Sequence, residues 1–116
     1  MIKNLILENG SKKVKVPSVK KLSEIGKGFG LMFRRREKSP ALLFEFKKSV
    51  SFHLTSLFVF FPFLVLWLDE KNQVIGKKIV KPWRFTVFSS VKSYYKILEI
   101  PLSKKFSSVL RSLVED

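Results

Sequence analysis

The chain has 116 residues, no cysteine, one histidine, and 23 lysines and arginines against 9 acidic residues, for a formal charge of +14 and a pI near 10.3. That length suits one domain spanning residues 1–116, with a core that needs neither disulfides nor a structural metal. The absence of thiols excludes disulfide frameworks, thiolate metal sites and cysteine nucleophiles, the lone His53 excludes sites built from several imidazoles, and the positive field favours polyanions such as nucleic acid.

In chain order, NLILENGSKKVKVP (residues 4–17) reads as a β-hairpin, since Asn9-Gly10 suits a tight turn and Val14 and Val16 alternate with lysines. The amino end lacks a small-residue cleavage site and predicts no secretory signal, hence a cytoplasmic protein. Ser18 can cap a short helix over residues 18–26, with Val19, Leu22 and Ile25 on one face and glycines at 26, 28 and 30 ending it. The glycine stretch GKGFG lacks the lysine-serine/threonine ending of a phosphate-binding loop. ALLFEF (residues 41–46) is a predicted strand, and residues 50–61 and 63–68 are the longest strands, with residues 69–72 as the polar turn after them. QVIGKKIV returns as a strand, KPWRF is a structured connection, and SYYKILEIP is the last strand. Phe106, Val109, Leu110, Leu113 and Val114 then fall at the spacing of an amphipathic helix. The fold class is mainly β with some α: an antiparallel sheet curled toward a small barrel, with one helix near the start and one at the end.

The apolar run of twelve residues from Leu57 to Leu68 is the feature most suggestive of a membrane. A spanning helix needs about 20 such residues, and Pro62 interrupts this one, so paired strands are expected and no transmembrane span. Phe60 and Trp67 are both expected to be buried in those strands.

The succession GLMFRR, LLFEF, FHLTSLFVFFPFLVLWLDEKNQVI, KPWRF and YYKILEIP, over residues 16–101, resembles domain of unknown function 192, also called uncharacterised protein family 0127. The resemblance implies a small β-rich domain and names no reaction. Members usually carry an aspartate two residues after the proline of the long strand, where this chain has Leu64, and many end in a glycine-rich turn and a strand where this chain has the helical PLSKKFSSVLRSLVED.

Catalytic pairs are scarce. Glu45 lies between Phe44 and Phe46 and most simply faces solvent, Glu99 reads as a rim residue or a partner for a lysine, and His53 has no evident nucleophile or orienting acid. The candidate ligand set is cationic and aromatic: Arg34, Arg35, Arg36, His53, Trp83 and Arg84, where guanidinium groups fork onto phosphate or carboxylate oxygens and an indole supplies a stacking face. Against this stands a structural role for Arg34 or Trp83 in holding turns, and a lysine surface that serves only solubility. The sequence thus points to a non-enzymatic binding module for an anionic partner, with no cofactor and no metal. The alternatives are a small hydrolase-like or sugar-binding module, which needs His53, Glu45 and the arginines in one pocket, and a protein–protein interaction module using exposed phenylalanines.

Overall fold

The computed structural model describes residues 2–22, 31, 34–51, 59–84 and 89–114. Strands β1 (Ile2–Asn9) and β2 (Lys12–Lys21) form the expected hairpin. Gly10 carries a positive φ of 65°, whereas Asn9 remains in the strand, so the turn has one left-handed residue where Asn-Gly chemistry predicts two.

The predicted helix beginning at Ser18 is not formed, because β2 continues to Lys21; residues 23–26 lie outside the described residues. Pairing passes from Lys3–Val19 to Leu5–Val16, which places extra chain in β2 around Pro17 and Ser18, and Ser18 takes φ 54° there. This is a bulge, one of the few places where a strand tolerates a residue without an N–H. Val19 and Leu22 do not share a helix face. They enter two different core layers on opposite sides of the sheet.

β3 (Ala41–Val50) pairs with β2 in parallel, and this makes the sheet mixed rather than wholly antiparallel. β4 (Phe63–Leu68) and β5 (Val74–Val80) form the second hairpin, and β6 (Tyr94–Pro101) inserts between β3 and β4. The order is β1-β2-β3-β6-β4-β5. The sheet curls until β1 and β5 touch through a Glu8–Gln73 bridge, giving a half-barrel. A 3₁₀ turn, Lys104–Phe106, leads into the expected helix α1 (Ser107–Val114).

Alternation along β4 and β6 supplies two apolar layers. Leu64, Leu66, Leu68, Leu98 and Ile100 face inward with Leu7, Val16 and Leu43, and α1 plugs that interior with Val109 and Leu113, aided by Phe106. Phe63, Val65, Trp67 and Ile97 face outward and are covered by Leu31, Val59, Phe61 and Tyr94. β4 is therefore buried on both faces, which explains the apolar run without a membrane. No helix among the described residues is long and apolar enough to cross one.

The strand expected to end at Phe61 is not present at its described end, since residues 59–61 are irregular. Phe60 is 55 % exposed, contrary to the expectation of burial, while Val59 and Phe61 on either side of it are buried. Gly76 lies opposite Trp67, and a Cβ on it would sit 2.5 Å from Ser90 Oγ and 2.8 Å from Val91 Cγ1, so the segment after residue 88 packs directly on β5 backbone.

Trp67→Ala should cost about 3–5 kcal/mol in denaturant unfolding, and Phe60→Ala about 1 kcal/mol, most of it the lost ring contact with Trp83. Gly76→Val should cost about 1–3 kcal/mol by overpacking. Equal costs at Phe60 and Trp67 would contradict the assignment of layers.

Candidate functional site

The arginine run precedes β3. Lys38 and Ser39 donate backbone N–H groups to the Arg35 carbonyl at 3.2 and 2.9 Å, which folds residues 35–39 into a turn. Arg36 Nε donates to the Leu102 carbonyl at 2.6 Å, and the Glu37 carboxylate accepts the Lys104 backbone N–H at 3.1 Å. The loop is thereby fastened to the start of the C-terminal helical segment, which gives Arg36 a structural role. Arg34 is half-buried, and Arg35 and Arg36 are exposed.

Leu102 in turn donates its N–H to the Pro62 carbonyl at 3.1 Å. Just before Pro62, the Phe60 ring meets Trp83 edge to face at a centroid distance of 5.5 Å and an interplanar angle of 63°. Both rings are near half exposure, at 55 and 47 %. Trp83 follows Pro82 in a bend and takes φ 62°, the left-handed region where glycine or asparagine is the usual occupant. A bulky residue in the left-handed region is disfavoured by about 1–2 kcal/mol, and half-exposed burial offsets little of it. Lys81 and Arg84, both exposed, flank the pair.

Of the expected ligand residues, Arg36 and Trp83 are linked through Leu102 and Pro62 at one end of the sheet, with Arg84 adjoining. His53 lies outside the described residues. Phe60 is an addition that sequence reasoning missed, because no alternation survives across Pro62 to say which way its ring points.

Glu45 does not join this end. Lys21 and Lys96 bind its carboxylate at 2.7 and 3.4 Å, and the bond from Lys21, stronger than the opposing effect of burial, holds its pKa below the usual carboxylate value. Lys96 also donates to Asn72 Oδ1 at 2.6 Å, so the group forms a polar rim at the opposite mouth of the half-barrel. Lys96 and Leu102 are separated by about 20 Å of extended chain, which keeps Glu45 away from Arg36. Among the described residues no group of histidine and acidic side chains gathers that could hold a metal ion.

These features define a curled six-stranded half-barrel domain with a helical plug. Its fold is similar to the crystal structure of a candidate transcription regulator from Sinorhizobium meliloti 1021, with a TM-score of 0.76 and 15% identity over 94% of this chain and 86% of that one. It is likewise similar to a protein of unknown function from Novosphingobium aromaticivorans DSM 12444, with a TM-score of 0.71 and 14% identity over 93% of this chain and 78% of that one. No family model and no curated protein matches the chain.

Glu99 departs from its expected place at the rim. It is 5 % exposed and stands in the outer layer, paired with Leu42 on β3 and Val65 on β4, and burial pushes its pKa up to about 8. The folded state therefore keeps a proton that the unfolded chain releases near 4.5. Its contribution is full below the unfolded value and is lost as pH rises through about 8. Unfolding free energy should fall across that window by at most about 1.4 kcal/mol per pH unit, and Glu99→Gln should flatten the profile. Glu45, whose pKa is lowered, acts in the other direction and loses its contribution only on acidification below its ordinary range. An unchanged slope in Glu99→Gln would contradict the buried neutral carboxyl.

Proposed function

We propose that this chain is a non-enzymatic binding module for an anionic polymer, and specifically for single-stranded nucleic acid. The observation that carries the reading is the Phe60–Trp83 pair, held half-exposed by a disfavoured backbone conformation and flanked by Lys81 and Arg84. Exposed aromatic faces among cations stack bases while lysines and arginines contact phosphates, without requiring sequence readout. Arg35, Lys104 and Lys105, exposed beside the loop that Arg36 fastens to Leu102, extend the positive field on the same end of the sheet. A cytoplasmic setting goes with such a partner. We also read the chain as a diverged member of domain of unknown function 192. Three of the resembling segments carry β3, β4 and β6 residues, LLFEF in β3, FLVLWL in β4 and YYKILEIP in β6, and Leu64, at the position of the family's aspartate, packs in the inner layer.

The test is fluorescence polarisation of a labelled oligothymidine of about 20 nucleotides at about 0.15 M salt. Binding should weaken about tenfold or more in Trp83→Ala and in Phe60→Ala, the loss of stacking for one base. The slope of log affinity against log salt should be about 0.7 for each phosphate contacted, and Arg84→Gln should lower it by one contact. No polarisation change at about 10 μM protein would leave the charge as a solubility feature.

A further inference from the structure

β1 ends at Asn9, just past the bridge that joins Glu8 to Gln73, so from Ile75 to Val80 the outer edge of β5 has no strand beside it among the described residues. α1 lies at this opening, and Lys77 Nζ donates to the Leu113 carbonyl at 2.7 Å. The closure is incomplete. Ile79 pairs with Leu64 and belongs to the inner face, yet it is 48 % exposed. Between β5 and α1 an open groove of about 300 Å³ remains, walled by Ile79, Leu102, Leu110 and Val114, with Ser103, Ser107 and Arg111 as polar members.

Two features make this groove a site rather than a gap. Ser103 occupies the N-cap of the 3₁₀ turn, but its hydroxyl makes no capping bond, and Glu37 from the arginine loop accepts the Lys104 N–H beside it. Ser103 is 7 % exposed, and its Oγ is buried with no hydrogen-bond partner among the described residues. Buried hydroxyls are nearly always bonded, so an unmatched one on a residue that lines a cleft is open to a group from outside. Arg111, exposed on α1, makes no ion pair among the described residues and supplies a planar fork suited to a carboxylate. The volume lies at the lower end for small-molecule sites, and the walls are hydrocarbon.

We propose that the groove between β5 and α1 binds a small amphiphilic carboxylate, held at its charged end by Arg111 and Ser103, with its hydrocarbon part against Ile79, Leu102, Leu110 and Val114. This site is separate from the aromatic pair, and its test does not depend on nucleic acid.

Octanoate is the probe, titrated into the ¹⁵N-labelled full chain and followed by amide chemical shifts, with octan-1-ol as the neutral match. Saturable shifts should appear in β5, at residues 102–103 and in α1. Arg111→Gln should weaken octanoate about tenfold, the loss of one charge-assisted contact, while leaving octan-1-ol unchanged. Ser103→Ala should fold at least as stably as the parent and bind octanoate more weakly. Lys12→Gln, at the tip of the first hairpin, controls for general attraction to a cationic protein. The proposal is overturned by an absence of saturable shifts at concentrations on the order of millimolar, by equal affinity in Arg111→Gln, or by an equal loss in Lys12→Gln.

Discussion

β4 lies between β6 and β5 with Leu64, Leu66 and Leu68 toward the interior and Phe63, Val65 and Trp67 toward the outside, and none of the six is exposed. A strand without a solvent face obliges the rest of the chain to cover it twice. The inner cover is the curl of the sheet completed by Phe106, Val109 and Leu113, and the outer cover comes from Val59, Phe61, Tyr94 and the chain packed on Gly76. Each layer leaves something over at its edge: the outer one ends in the exposed Phe60–Trp83 pair, and the inner one in the groove at Ile79.

Polar groups are distributed by the same constraint. The mouth formed by Lys21, Glu45, Lys96 and Asn72 is a linked set of ion pairs and hydrogen bonds, where water can still share the charge. Glu99 has no such partner among the described residues. It sits between apolar strands, where burial pushes its pKa up, and this ties the stability of the domain to pH in a direction opposite to that of the ion-paired Glu45.

Much of the architecture was legible in the sequence because the periods are clean. Alternating valines and lysines marked β2, the Asp69 turn marked the second hairpin, and the spacing from Phe106 to Val114 marked α1. What was not legible depends on contacts between distant segments. Val19 and Leu22 have a helical spacing only because a bulge and two core layers intervene, and the parallel pairing of β2 with β3 leaves no local trace. Trp83 and Arg36 were picked out by chemical type, but Arg36 proved to anchor a loop, and Phe60 had been assigned to the core. The groove could not be read at all, since its walls come from β5, the turn after β6 and α1.

The insertion of β6 between β3 and β4 sets the order in which this protein can become itself. During synthesis β3 and the β4–β5 hairpin emerge with the edges that β6 will join still bare, and β4 exposes unpaired backbone beside its most apolar side chains. Only when residues 94–101 leave the ribosome can the two halves be zipped together, and only then can α1 seal the interior. Until that moment the nascent chain presents a hydrophobic edge strand in a chain of net charge +14, and like charge of that size opposes the edge-to-edge pairing that a bare strand invites.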